Sequence, residues 1–216
     1  MFSRHDLVWL TPAGWDAALV AAPQAALQAG LRQWRDHDWP AVVRRHEPGL
    51  GDDVVCLGIP LPASYGLRQR IALVSCIEHV ARQQAPLPLD DAIGAAPPAW
   101  LAGLVALQRA GTPFDLRVYG SLALASLTGL AYLRAESDID LLLRPATASG
   151  LAAGVALLDQ YAGLLPLDGE IVFPSGEAVA WKEWLAARRA PARVLAKSLH
   201  AVRLVEPAQL LATLAP

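Results

Sequence analysis

Tyr119-Gly120-Ser121, followed by Ser137-Asp138-Ile139-Asp140-Leu141-Leu142-Leu143, is the stretch that decides the fold. The run Phe114–Tyr119 reads as a strand that ends in a Gly-Ser turn, and the small-residue segment after it, to Leu130, has helical character. Two aspartates one residue apart then open a second apolar strand. Alternation along a strand places residues i and i+2 on one face. Asp138 and Asp140 are therefore expected to point the same way, with Ile139 pointing into the core. Two carboxylates on one face hold a hard divalent cation, or bridge two such ions about 3.5–4 Å apart. Without a cation the adjacent like charges only repel. Together, the turn and the aspartates point to phosphoryl or nucleotidyl transfer.

Working outward, residues after the aspartate strand alternate between helix and strand. Helices are predicted over Ala99–Arg109, Ser121–Leu130, Ala148–Tyr161 and Lys182–Arg189, with a last helix at the end of the chain. Strands are predicted over Phe114–Tyr119, Asp138–Arg144, Glu170–Phe173, Val194–Lys197 and Ala201–Val205. Pro174-Ser175-Gly176 turns into a further short segment, Glu177–Ala180. This pattern indicates an α+β fold with a mixed sheet and flanking helices. Ala85–Pro98, APLPLDDAIGAAPP, holds four prolines and little periodicity, and reads as a linker. The expected organisation is a smaller α+β N-terminal domain over 1–85, a Pro-rich linker over 86–98 and a catalytic domain over 99–216. In the first part, Thr11-Pro12 reads as a helix start, with a helix over about Ala13–Gln33. Strands at Ala41–Arg45, Val54–Ile59 and Gln69–Val74 follow, then a helix over Ser75–Gln84.

Composition narrows the classes of function. The chain has 216 residues, 54% hydrophobic and 18% charged, so it can bury a core, and disorder is not expected. Net charge is −2 and the pI about 6.2, which argues against nucleic acid as a partner. Cys56 and Cys76 sit in apolar surroundings without CxxC spacing and read as core residues in a reducing compartment. Met1-Phe2-Ser3-Arg4-His5-Asp6 carries charge where a signal peptide needs an apolar segment. Val118–Leu133 is shorter than the ~20 residues a membrane helix needs, and Gly120, Ser121 and Thr128 interrupt it. A cytoplasmic, soluble protein without a membrane partner is the simplest expectation.

Other residues qualify as parts of a site. A glycine permits close approach of a ligand, and the helix after it offers unsatisfied N–H groups, so Gly120 and Ser121 are candidates for binding phosphate. Asp168-Gly169-Glu170 supplies a third carboxylate. Asp168 and Glu170 share parity, so pattern does not choose between them, and either could instead cap a turn. Gly169 permits close packing against the aspartate strand. Arg134, Lys182, Lys197 and Arg203 are candidates for the substrate's phosphates, although such residues are more often solvated surface. Arg44, Arg45, Arg68 and Arg70 lie on strand-like segments, the last two just after Tyr65-Gly66, and an exposed sheet face is the plainer account of them. The five histidines, His5, His37, His46, His79 and His200, lack metal-ligand spacing. There is no Walker A, GxGxxG or GxSxG sequence. Trp9, Trp15, Trp34 and Trp39 read as core packing rather than base stacking.

Gly120-Ser121, Asp138-Ile139-Asp140 and a later carboxylate resemble the polymerase-beta-like nucleotidyltransferase superfamily, over roughly Ala99–Val205. A narrower likeness spans nearly the whole chain. Arg4-His5-Asp6-Leu7-Val8-Trp9-Leu10, YGSLALASLTGLAYL over 119–133, SDIDLLL and DGEIVFPSGEAVAWKEW look like the malonate decarboxylase holo-acyl-carrier-protein synthase family, also called phosphoribosyl-dephospho-CoA transferase. The resemblance implies transfer of phosphoribosyl-dephospho-CoA from triphosphoribosyl-dephospho-CoA to a serine of the apo acyl-carrier subunit of malonate decarboxylase, with release of pyrophosphate. It implies that Asp138 and Asp140 bind the metal and that Gly120-Ser121 holds phosphate. It leaves Asp168 and Glu170 undecided as the third carboxylate. Magnesium is the expected ion, and manganese accepts the same oxygen ligands. The N-terminal part is expected to dock the carrier or hold the pantetheine end of the substrate. Two other readings stand beside this one. The same residues would serve another metal-dependent nucleotidyltransferase that uses ATP on a small molecule or protein, and the fold would also serve a non-catalytic binding protein.

Overall fold

Thr11 and Pro12 begin the first helix as their chemistry requires. The Thr11 hydroxyl accepts from the Gly14 N–H at 3.1 Å, and Pro12 fills a first-turn position that needs no donor. The structure is a computed structural model that describes residues 1–22, 24–62, 70–190 and 192–215. Tyr65-Gly66, Arg68 and Gln69 lie outside the described residues. The chain is mixed α+β, with two sheets, and divides into two compact units, Met1–Pro86 and Leu87–Pro216. Among the described residues no helix is long and apolar enough to cross a membrane.

The first unit is built on a five-stranded sheet. Its elements are β1 (Leu7–Leu10), α1 (Pro12–Ala21), α2 (Ala25–Asp36), β2 (Ala41–Val43), β3 (Val54–Pro60), β4 (Arg70–Cys76) and β5 (Val80–Gln84). The order is β4-β3-β2-β1-β5, and each pair is antiparallel. Two expectations are corrected here. The single helix over Ala13–Gln33 is two helices, because Ala22 is extended, at φ −78 and ψ 114. A residue before proline is pushed out of the helical region, and Pro23 follows. The helix expected over Ser75–Gln84 is instead the end of β4, one 3-10 turn at Ile77–His79, and β5. That segment is drawn into the sheet by β1, which pairs Leu7 with Gln84 and Trp9 with Arg82. β1 itself is wholly buried and was missed by periodicity, because a strand with no polar side does not alternate. Trp9, Trp15 and Trp34 are core residues as expected, and Trp39 is half-buried: Trp34 is fully buried, donates to the Pro40 carbonyl at 3.1 Å and packs edge-on against Trp39.

The second unit carries a seven-stranded sheet. In chain order come β6 (Leu87–Pro88), α3 (Leu89–Ile93), α4 (Pro98–Ala110), β7 (Leu116–Tyr119), α5 (Gly120–Thr128), β8 (Ile139–Leu143) and α6 (Ala148–Ala162). β9 (Leu167–Val172), β10 (Ala178–Ala180), α7 (Trp181–Arg189), β11 (Val194–Lys197), β12 (Val202–Val205) and α8 (Pro207–Leu211) follow. The predicted elements from residue 99 onward fall within about three residues of these. The expected linker over 86–98 is not one. β6 pairs with β7, Leu89 and Ala92 of α3 enter the core, and Pro98 opens α4. Pro88, Pro97 and Pro98 stand where no backbone donor is needed, before α3 and at the start of α4.

The sheet order is β12-β11-β10-β9-β8-β7-β6. Among the described residues β8 and β9 run parallel, joined through α6, and the other pairs are antiparallel. One face of this sheet, with Val118, Ile139, Leu141, Leu143 and Ile171, packs against Leu104 and Leu107 of α4 and Leu151, Val155 and Leu158 of α6. Each such fully buried aliphatic side chain stabilises by roughly 1.5–3 kcal/mol. The alternate positions of β8 and β9 face the other way, and these hold the acids.

Gly169 sets the spacing of the parallel pair. It stands opposite Leu141 at φ +129, and a Cβ there would strike the Leu141 carbonyl oxygen and lie 2.6 Å from its nitrogen. Gly169→Ala is expected to lower the unfolding free energy by about 3 kcal/mol or more. Urea denaturation measures this, and an alanine variant as stable as the parent would overturn the β8–β9 register.

Candidate active site

The site starts from the way β7 turns into α5. Tyr119 pairs with Asp140 across the β7–β8 ladder, and Gly120 follows at φ +68. A Cβ on Gly120 would run into Asp140 Oδ2 and lie 3.0 Å from Cγ. Only glycine both accepts this backbone conformation and leaves room for the carboxylate. Tyr119, the N-cap residue of α5, makes no side-chain cap hydrogen bond. The first N–H groups of α5, with the half-buried Ser121, are the donors such a helix offers an anion.

Asp138 and Asp140 enter β8 from a turn in which Arg134 N–H donates to Ser137 Oγ at 2.9 Å and Ser137 N–H donates to the Arg134 carbonyl at 3.1 Å. Ile139 N–H donates to the Pro166 carbonyl at 2.8 Å, which fixes the strand between the two aspartates. Asp138 is exposed, Asp140 is half-buried and Ile139 is fully buried, so the alternation read from sequence is present.

The parallel register separates the two remaining acids. Asp168 stands directly across from Asp140, while Glu170 stands across from Leu142. Asp168 lies 3.6 Å from Lys182 Nζ. Glu170, only 4% exposed, is paired with Lys197 Nζ at 3.1 Å. The reason Lys197 reaches it is the strand between them. β10 places Ala180 opposite Glu170 and Ala178 opposite Lys197, and two methyl groups leave a lane for the lysine stem. The acid beside Asp140 is thus Asp168, and Glu170 is engaged as the counter-ion of Lys197.

Gly120, Ser121, Asp140 and Asp168 are therefore brought together by strand pairing, with Asp138 one alternation from Asp140 and Lys182 beside Asp168. Other candidates fall elsewhere. Arg203 is paired with Glu177 at 2.7 Å, on the edge strand β12. Arg134 is exposed in its turn. Arg44 donates to the Leu57 carbonyl and pairs with Glu47 at 2.6 Å, and Arg45 and Arg70 are exposed. Tyr119 and Arg117 share the face of Asp140 and Leu142 through the β7–β8 register, and sequence reasoning passed them over. Their parity relative to Gly120 was the available signal.

The donor set suits a hard cation. Asp138 and Asp140 offer oxygen ligands alone. Among the described residues no group of three or more His, Cys, Asp or Glu side chains is gathered that could hold a metal ion. The third carboxylate expected from sequence is thus not assembled with the pair into a cage. Magnesium does not require one: it is held by one or two carboxylates, with waters and substrate phosphates completing its octahedron. The residues present fit that mode of binding.

Comparison with known proteins agrees across the chain. Residues 87–208 match the family described as phosphoribosyl-dephospho-CoA transferase MdcG C-terminal domain, and residues 3–86 match the corresponding N-terminal domain. A phosphoribosyl-dephospho-CoA transferase of Xanthomonas campestris pv. campestris is 40% identical over 188 residues, covering 85% of this chain and 86% of that one. One from Xanthomonas euvesicatoria pv. vesicatoria is 40% identical over 215 residues, 97% of each chain. A third, from Bradyrhizobium diazoefficiens, is 38% identical over 208 residues, covering 94% of this chain and 89% of its own. No solved structure matches the chain.

Removing one partner of an ion pair whose other member is buried weakens the fold. Lys197→Met is expected to destabilise the chain by about 3 kcal/mol, and the double variant Glu170→Leu/Lys197→Met to recover most of that loss. Urea denaturation of the four members of this cycle measures the coupling. Additive effects would show that the two side chains do not depend on each other.

Proposed function

The chain belongs to the phosphoribosyl-dephospho-CoA transferase family, and from that membership we propose that it loads the prosthetic group of malonate decarboxylase on a polymerase-beta-like nucleotidyltransferase fold. The donor is triphosphoribosyl-dephospho-CoA and the acceptor is a serine of the apo acyl-carrier subunit. The serine oxygen attacks the phosphorus next to the ribose. A new P–O bond forms there, the bond to the neighbouring bridging oxygen breaks, pyrophosphate leaves and the serine hydroxyl loses its proton.

The observation that carries this reading is the Asp140 carboxylate packed against Gly120, with Asp168 across the next strand. Gly120 lets a phosphate approach the backbone, and the N–H groups that open α5, with the Ser121 hydroxyl, bind its oxygens. Asp138 and Asp140 hold magnesium, or manganese, which when bound neutralises charge on the phosphates and the departing pyrophosphate. Lys182 lies beside Asp168 and adds positive charge for phosphate oxygens. Asp168, the register partner of Asp140, holds Lys182 in place. Lys197 is fixed by Glu170 on the same sheet face and presents its charge toward the substrate.

Removing either metal-binding carboxylate forfeits several kcal/mol of charge stabilisation. Asp138→Ala or Asp140→Ala is expected to slow transfer by about a thousandfold or more while the fold persists. The measurement is intact mass of an apo malonate decarboxylase carrier subunit incubated with the enzyme, magnesium and triphosphoribosyl-dephospho-CoA, with ATP alone in parallel. A gain of phosphoribosyl-dephospho-CoA, lost in either variant, is the expected result. Full activity in a variant would remove the metal site. An AMP-sized gain with ATP alone would replace the donor.

A further inference from the structure

Ile139, Leu141 and Leu143 of β8 enter the core of the second unit, and Asp140 and Leu142 stand on the opposite face of the sheet. Arg144 is the next alternate residue, so it falls on the face of Asp140 just beyond the end of β8. Four residues at about 3.3 Å each put its backbone about 13 Å from that of Asp140. Arg144 is half-buried, and its guanidinium Nε is fully buried without a hydrogen-bond partner. Among the described residues it forms no ion pair. A buried donor without a partner costs free energy, and a charged one costs more. Two other buried donors lack partners, the indole N–H groups of Trp181 and Trp184, but these are neutral and belong to the core cluster.

The acids of the flanking strands are engaged with other cations. Beside β7, Asp115 holds Arg117 at 2.6 Å, and Arg117 stands opposite Leu142. On β9, Asp168 lies 3.6 Å from Lys182 Nζ, and Glu170, also opposite Leu142, holds Lys197 at 3.1 Å. Each of these carboxylates has a cation of its own, and Arg144 is left as surplus positive charge. At the start of β8 the balance is reversed, because Asp138, Asp140 and Asp168 outnumber Lys182. The face is thus polarised along β8, negative where the strand begins and positive just past its end.

A partly desolvated guanidinium binds phosphate oxygens with its planar fork of donors, and Nε is one arm of that fork. The donor named above carries two anionic groups. One is the triphosphate. The other is the diphosphate that joins adenosine to the pantetheine arm in dephospho-CoA, and two ribose rings separate the two groups. A molecule with that spacing needs a cation held by carboxylates at one end and a fixed positive charge at the other. The face of β8 offers both, on one strand.

We propose that Arg144 binds the diphosphate of the dephospho-CoA moiety while the triphosphate lies at Asp138 and Asp140. The inference rests on the reading above of which donor is used. It makes Arg144 a residue that selects a nucleotide-linked donor over a bare triphosphate.

The test titrates the full chain by calorimetry with dephospho-CoA and, separately, with magnesium tripolyphosphate, together with transfer kinetics. Arg144→Met keeps an apolar stem and removes the orphaned donor and its charge, so its melting temperature is expected to stay level or rise. Its affinity for dephospho-CoA is expected to fall about tenfold, and its affinity for magnesium tripolyphosphate to match the parent's. KM for the triphosphorylated donor rises in parallel, and KM for the carrier subunit keeps the parent's value. Parent-like dephospho-CoA affinity in Arg144→Met would overturn the proposal, as would equal losses for both ligands or a rise in KM confined to the carrier. Should Arg144→Met fail to fold, Arg144→Lys carries the same test: the charge stays, the fork is lost, and dephospho-CoA affinity alone falls. Dephospho-CoA binding that weakens in the variant, in a protein that transfers nothing from the donor, upholds the diphosphate site and defeats the transferase reading instead.

Discussion

Residue 120 and the Asp140 carboxylate occupy one volume, and the chain resolves the conflict by having no side chain at 120. Much of the second unit is arranged by that contact. The turn out of β7 must take φ +68, so α5 starts at once and without a cap hydrogen bond from the Tyr119 side chain. Its N–H groups are left facing the acidic end of β8. β8 in turn must present Asp140 on the face away from the core, which sends Ile139, Leu141 and Leu143 inward. A polar requirement at one atom thus propagates into the packing of the sheet.

Charge on that face is arranged by strand register. Asp140 and Asp168 are direct neighbours, and two carboxylates so placed repel unless a cation lies near. Lys182 approaches one of them from the helix after β10. One step further along β9, Glu170 is almost fully buried, and burial without a partner would be costly. Lys197 supplies that partner because alanines alone intervene. Two acids of equal parity have therefore been given different work by what lies across from each.

The second unit was largely legible in the sequence. β7, α5, β8, α6, β11 and the parity of Asp138 and Asp140 followed from alternation, helical spacing and glycine at a turn. The choice between Asp168 and Glu170 was not legible, because parity is shared and only the register of β9 against β8 separates them. β1 was illegible for the opposite reason: Leu7–Leu10 is apolar on both sides. Val80–Gln84 has residues that suit a helix, and pairing with β1 overrode them. The prolines of 86–98 read as a break, although Pro88, Pro97 and Pro98 occupy positions where a missing donor is harmless.

The pairing of β8 with both neighbours also makes the acidic face a product of non-local contacts. Antiparallel neighbours such as β11 and β12 close through a short connection, but β8 reaches β7 across α5 and β9 across α6. Contacts between distant parts of a chain are slow to form, because loop closure costs entropy before pairing repays it. Asp140 meets Gly120 through the β7–β8 ladder and Asp168 through the β8–β9 ladder, each across a helical connection. The acidic face is therefore complete only in a chain in which both of these connections have closed.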